Sequence, residues 1–234
     1  MNIIAVIPAK GHSEGVPGKN KRLMHGKPLF LWSVEQALGT KGINRIVVSS
    51  DDPWIIAEAA MAGAVGQFRP PELCQNNTSV EAVVEHAILC PVNGTLPDVV
   101  VILQPTSPCR TSQDIKNAIS LVTKGGYNSC LSVVESHRFI WGVKKFPYLT
   151  KSLSQHLYSD SLNYNWKKRP NRQAATQYME NGSIYVSRYE KGFKNRLSVP
   201  IGMYVMDYWS GFEIDTPEDW DLVEFAMKKR GLVD

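Results

Sequence analysis

Short runs rich in β-branched residues recur between stretches of helical spacing, at residues 3–7, 43–49, 99–103, 130–134, 183–186 and 204–206. Strands that alternate with helices are joined by crossovers, which predicts an α/β fold on a mostly parallel sheet flanked by helices. The run Asp98-Val99-Val100-Val101-Ile102-Leu103 has no polar alternation. A strand of that kind is covered on both faces, so it is expected near the centre of the sheet. Pro28 can open a helix carrying Leu31, Val34 and Leu38 on one side, closed by Gly39 or Gly42, and residues 53–62 and 80–89 read as further helices. With 234 residues, 43% of them hydrophobic, the chain is read as a single domain over 1–234 whose core needs neither disulfides nor a structural metal.

Residues 136–173 break the pattern. They hold Trp141, Trp166, several Tyr and the basic run Lys167-Lys168-Arg169 without a clean period, and are expected to form an insertion with a functional or interaction role. Lys and Arg number 26 against 22 Asp and Glu, a net charge of +4. This balance suits a small anionic substrate and lacks the concentrated basic charge of a nucleic-acid binder, so no nucleic-acid partner is expected. The apolar run Ile3-Ile4-Ala5-Val6-Ile7 stops too soon for a signal peptide or a membrane span, which predicts a cytoplasmic protein with no membrane partner. Cys74, Cys90, Cys109 and Cys130 are unevenly spaced with no C-x-x-C pair and are expected to be buried reduced thiols. Asn76-Asn77-Thr78 and Asn181-Gly182-Ser183 match glycosylation acceptors, a frequent chance pattern given no weight.

Three segments carry candidate chemistry. The first strand runs into a loop from Pro8 to Arg22 that combines Gly11, Gly15 and Gly18 with Lys10, Lys19, Lys21 and Arg22. Glycines let backbone N–H groups approach an anion and the cations neutralise it, so the loop is a phosphate-site candidate; a solvated basic turn is the alternative. It is not a Walker A loop, because Ser13 and Asn20 stand where that pattern needs Gly and Ser or Thr. The second segment, Gly211 to Trp220, sets Glu213 and Asp215 at i and i+2 of an extended stretch, on the same face. A divalent cation can bridge such a pair, and Mg²⁺ in nucleotide sites is held by one or two carboxylates plus phosphates; an exposed pair on a strand edge is the alternative. Thr216, Pro217 and Asp219 read as a helix start. The third is Gln104 to Arg110, beyond the carboxyl end of the buried strand, where open α/β sheets bind ligands. Gln104 can donate and accept there, and Arg110 either offers a fork to an anion or pairs with a nearby acid.

Together these segments resemble the acylneuraminate cytidylyltransferases, the family of CMP-sialic acid and CMP-nonulosonate synthetases. The resemblance rests on Ile7 to Lys10 through Lys19-Asn20, on Val48 to Asp52, on Arg69 to Leu73, on Leu103 to Arg110, on Arg172-Gln173 with Glu180 to Tyr185, and on Glu213 to Thr216. It implies a Rossmann-like domain with an arm exchanged across a homodimer, which residues 136–173 would supply. It implies that Lys10, Ser13 and Lys19 bind the phosphates of CTP while Asn20 and Arg69 face the cytidine. Gln104, Arg172, Asn181 and Tyr185 would hold the sugar acid, and Glu213 and Asp215 would coordinate Mg²⁺. Three positions depart from the common pattern: Lys10 for Arg, Glu14 where Lys is common, and Glu213 for Asp. The implied reaction joins CTP to a nonulosonic sugar acid, giving the CMP-sugar and pyrophosphate for cell-surface polysaccharide biosynthesis, with Lys10, Lys19 and Asp215 as the catalytic set. Asp215 or a hydroxide on a bound cation is expected to take the sugar hydroxyl proton, and His12 is read as an exposed loop residue. The competing readings are a related sugar nucleotidyltransferase, using Kdo or another nucleotide, and a non-catalytic nucleotide or sugar binder.

Overall fold

A computed structural model describes residues 1–89, 95–143, 159–171 and 177–234. The strands, in chain order, are β1 (Ile3–Pro8), β2 (Leu23–Met24), β3 (Lys27–Pro28), β4 (Arg45–Ser50), β5 (Val65–Phe68), β6 (Val99–Leu103), β7 (Ser129–Ser136), β8 (Trp141–Val143), β9 (Ser159–Ser161), β10 (Gln177–Arg188) and β11 (Ile201–Met206). The helices are α1 (Leu29–Leu38), α2 (Pro53–Met61), α3 (Val80–Leu89), α4 (Ser112–Thr123) and α5 (Pro217–Lys229). The chain divides into two compact units, Met1–Val134 with Glu180–Asp234, and Glu135–Met179.

The first unit is organised around β6, whose side chains are all buried, in a seven-stranded sheet of order β11-β7-β10-β6-β1-β4-β5. Consecutive β-branched residues work here because the two faces are covered separately. Val99, Val101 and Leu103 join Ile3, Ala5 and Ile7 under Phe30 and Val34 of α1 and Ile115 and Ile119 of α4. Val100 and Ile102 join Ile4 and Val6 under Val84, Ala87 and Ile88 of α3. The chain leaves β1 through α1 toward β4 and β5, then returns through α3 to β6 on the other side of β1. Right-handed crossovers in opposite directions place their helices on opposite faces, and the loops after β1 and β6 diverge at this switch point, where such sheets form a crevice.

Helix ends follow local chemistry. Asp52 caps α2, accepting from Trp54 N at 2.9 Å, and Thr111 with Asp114, and Thr216 with Asp219, form reciprocal capping boxes on α4 and α5. The helix expected from Pro28 starts at Leu29, but its buried seam is Phe30, Val34 and Ala37; Leu31 is only partly buried and Leu38 is exposed. The strand expected at 183–186 is longer and runs antiparallel to β6, whereas β1 with β4, β1 with β6, β4 with β5 and β7 with β11 pair parallel. Neither β5 nor α4 was marked by the apolar runs; β5 is a short edge strand carrying Gly66 and Gln67. Cys109 and Cys130 are buried as expected, Cys74 is only partly so, and Cys90 lies outside the described residues.

In the second unit β8 and β9 pair antiparallel, and Asn163 donates from Nδ2 to Arg138 O at 2.8 Å and accepts from Ile140 N at 2.9 Å. Arg169 of the basic run lies over the Phe139 ring, 4.5 Å from its centroid, after a 3₁₀ turn at Trp166–Lys168. Among the described residues no helix is long and apolar enough to cross a membrane.

Truncating the central strand should be costly. Leu103→Ala, at a site with no exposed surface, is expected to lower unfolding free energy by about 2–5 kcal/mol in urea denaturation, whereas Met203→Ala on the exposed side of β11 should stay within about 0.5 kcal/mol.

Candidate active site

A cleft of about 520 Å³ opens at the switch point, walled by the loop after β1 (Lys10, His12, Ser13, Glu14, Lys19, Asn20), the loop after β6 (Gln104, Pro105, Thr106), Asn76 and Asp215. Three segments distant in sequence meet there because one apolar residue pins them. Ile214 is fully buried with Val16, Leu29 and Trp220, its N–H donates to Thr106 O at 2.9 Å, and its carbonyl accepts from Lys19 Nζ at 2.7 Å. With Ile214 turned inward, Glu213 and Asp215 on either side are both exposed, as the i, i+2 spacing predicts.

The basic residues of the first loop divide into two kinds. Lys21 pairs with Asp52 at 2.5 Å and Arg22 lies over Trp220, 4.4 Å from the ring centroid, so both brace the loop. Lys10 and Lys19 face the cleft. Lys19 Nζ lies 3.7 Å from Asp215 Oδ1, and burial pulls its pKa below the ordinary lysine value against the opposing pull of Asp215 and Glu213. Lys10 Nζ donates to Asn76 Oδ1 at 2.9 Å, and Asn76 Nδ2 donates to Glu14 Oε1. Asn20 donates from Nδ2 to Lys10 O at 2.8 Å, while its buried Oδ1 has no partner among the described residues.

Close packing, not only anion approach, explains the glycines. A Cβ at Gly15 would sit 2.1 Å from Asp215 O, and one at Gly182, where φ is +62°, would sit 2.5 Å from Glu213 Oε2. The acid segment is thus wedged between the first loop and β10. Although Glu213 as a whole reaches the surface, its carboxyl is partly covered against Gly182, and that burial and then the nearby Asp215 charge push it above its usual range.

Three of the expected site residues, Arg69, Asn181 and Tyr185, are buried. Arg69 is buried, donating to Ser49 Oγ at 3.1 Å and Ser49 O at 2.7 Å, and lies outside the described cleft wall because burial at the end of β4 commits its guanidinium to that strand. Asn181 is also buried. Its amide donates to Ser210 O at 2.9 Å and accepts from Ser132 Oγ at 2.6 Å. Tyr185 is buried with its hydroxyl donating to Glu180 Oε1, and burial followed by that acid raises its pKa, leaving a neutral donor committed to Glu180. Arg172 lies outside the described residues. Among the described residues Arg110 neither lines the cleft nor forms an ion pair with an acid. Fully buried, it donates to Gln104 O at 2.9 Å, Ser107 O at 2.7 Å and the Ser33 hydroxyl, and burial pulls its pKa down to about 9, leaving it cationic at neutral pH. Gln104 does line the cleft. Sequence reasoning missed Asn76, which it met only as a chance acceptor pattern; nothing local in the sequence marks its contacts 62 and 66 residues away.

A family profile described as Cytidylyltransferase matches residues 4–230. The chain belongs to the cytidylyltransferase family. It is 31% identical over 98% of its length to an N-acylneuraminate cytidylyltransferase A of Danio rerio, of which it covers 52%. It is 32% identical to a CMP-N,N'-diacetyllegionaminic acid synthase of Legionella pneumophila, with 97% of each chain covered. The chain spans about half the length of the first curated relatives it matches. A solved CMP:2-keto-3-deoxy-manno-octonic acid synthetase complexed with CTP shares the fold at TM-score 0.63 and 16% identity, covering 98% of this chain and 99% of that one.

The raised Glu213 pKa carries a stability prediction. A carboxyl whose folded pKa exceeds its unfolded value destabilises the fold once it ionises, fully above the folded pKa and not at all below the unfolded value of 4.5. Glu213→Gln is therefore expected to melt higher than wild type at pH 7 in metal-free buffer, and the difference should close as pH falls below about 4.5 in a thermal scan series.

Proposed function

We propose that this chain is a CTP-dependent cytidylyltransferase that activates a nonulosonic sugar acid. The observation that carries the reading is the apposition of Lys10, Lys19 and Ser13 with Asp215 across one cleft at the sheet's switch point. The family membership and the full-length likeness to a CMP-N,N'-diacetyllegionaminic acid synthase support the nucleotide and the sugar class.

In this reading Lys10, Lys19 and Ser13 bind the triphosphate, and Gln104 orients the sugar acid. The sugar's anomeric hydroxyl attacks the α-phosphorus, the new O–P bond forms as the bond from that phosphorus to the α,β-bridging oxygen breaks, pyrophosphate leaves, and the hydroxyl proton passes to the Asp215 carboxylate. Little covalent chemistry is asked of the protein. Aligning the nucleophile and neutralising phosphorus oxygens supply most of the acceleration in such transfers. The Asn20 Oδ1 left without a partner is an acceptor that an amine donor would satisfy, and cytosine carries one.

The donor set fits Mg²⁺. Glu213 and Asp215, on either side of Ile214, offer hard oxygens, and the Glu213 carboxyl, held above its usual range by burial and then by the Asp215 charge, is an anion that a divalent cation would stabilise. When bound, the cation would neutralise charge on the phosphates and the departing pyrophosphate. Residues 136–173, with their basic and aromatic content, are assigned to contact between two copies in a homodimer working in the cytoplasm.

Asp215→Ala is expected to cut pyrophosphate release from CTP and a sugar acid by about 10²-fold or more while the thermal midpoint shifts little; turnover equal to wild type would reject the assignment. A panel of nucleoside triphosphates against sialic, legionaminic, pseudaminic and Kdo acids should give release with CTP and a nonulosonic acid. Preference for another nucleotide or for Kdo would replace the reading.

A further inference from the structure

Glu14 brings a carboxylate to a cleft whose walls also carry Lys10, Lys19 and Ser13. Left to itself, that carboxylate would repel an incoming phosphate and draw the Lys10 ammonium away from it. The structure keeps the two charges on separate atoms of a third residue. Asn76, in the turn leading to α3, donates from Nδ2 to Glu14 Oε1 and accepts from Lys10 Nζ at 2.9 Å on Oδ1. A carboxamide carries donors and an acceptor on one rigid plane, so it can bond an acid and a base at the same time. Among the described residues no ion pair joins Lys10 to Glu14, and Lys10 spends one of its three ammonium donors on Asn76. The other cleft lysine is differently held, on Ile214 O at 2.7 Å and beside Asp215. Lys10 is thus the cleft cation whose aim depends on a neutral side chain.

We infer that Asn76 is a positioning residue for the triphosphate, and that its carboxamide, by tying down the Glu14 carboxylate, lets this chain carry an acid at position 14 and still present Lys10 to an anion. The inference rests on the CTP reading of the cleft. It also gives the polarity of each bond a consequence: a group at 76 that cannot donate sets two acceptors against each other across the mouth of the cleft.

A polarity-reversal experiment tests it. Asn76→Asp keeps the size and the acceptor for Lys10 but loses the donor to Glu14. CTP affinity, measured by calorimetry with excess Mg²⁺, is expected to weaken about tenfold, while kcat at saturating CTP and the sugar-acid KM stay within about threefold of wild type. Adding Glu14→Gln to that variant faces a carboxamide at 14 with a carboxylate at 76, restoring a donor and acceptor pair, and should return the CTP Kd to within about twofold of wild type. Glu14→Gln alone keeps an acceptor for Asn76 and removes a negative charge, so it should bind CTP at least as tightly as wild type. A Kd unchanged in Asn76→Asp, a loss that the double variant does not recover, or weaker binding by Glu14→Gln would each overturn the role of Asn76. Should Asn76→Asp fail to fold, Asn76→Ala, which removes both bonds, is expected to weaken CTP binding about tenfold, and a Kd equal to wild type would overturn the role. Wild-type protein that binds CTP but releases no pyrophosphate with any sugar acid would end the catalytic reading and leave the Asn76 role to be read from Kd. Wild-type protein that does not bind CTP would end both.

Discussion

The cleft depends on the burial of one isoleucine. Ile214 has no exposed surface, and both of its backbone polar groups are spent, the N–H on Thr106 O and the carbonyl on Lys19 Nζ. Its side chain shares a cluster with Val16 of the first loop and with Trp220, Val223 and Met227 of α5. An apolar residue buried between two acids forces both carboxylates outward, and its hydrogen bonds set the separation between the acid segment, the loop after β1 and the loop after β6. The chemistry of the site is polar, but its geometry is imposed by exclusion of water from a few apolar side chains.

Arg110 plays a comparable part on the β6 side. A guanidinium with no exposure and no acid hydrogen-bonded to it usually signals a fault in packing, yet here its donors close the turn from Gln104 to Ser107 and reach Ser33 of α1 and Ser183 of β10. Carbonyls that would otherwise be orphaned at the end of a buried strand are satisfied by a single side chain. Its charge, poorly screened in the interior, adds to that of Lys10 and Lys19 at the carboxyl end of the sheet.

The parts of this molecule legible in the sequence were those governed by local rules. The uninterrupted run of β6, the cap at Thr216 and the outward pair at Glu213 and Asp215 all follow from spacing of two or three residues, and the structure has each of them. The direction of β10 was not legible, because an antiparallel strand buried on both faces has the same composition as a parallel one. Nor were the separate fates of similar side chains: Lys10 and Lys19 face the cleft while Lys21 and Arg22 brace its loop, and only the positions of Asp52 and Trp220 decide that. Arg69, Asn181 and Tyr185 were expected at the site from the family motif, and their burial with satisfied partners depends on contacts with Ser49, Ser210 and Glu180 that no motif encodes.

The bond between Lys19 and Ile214 spans 195 positions of the chain. Closing so long a loop is entropically slow compared with forming the crossovers that precede it, so the strands β1, β4 and β6 can be in place well before the two walls of the cleft face each other. During synthesis the first loop emerges early and waits. A ribosome-bound chain that has not yet released the segment around Ile214 holds Lys10 and Lys19 without the Asp215 carboxylate that shares their cleft, and that wall is completed only when the segment leading into α5 docks.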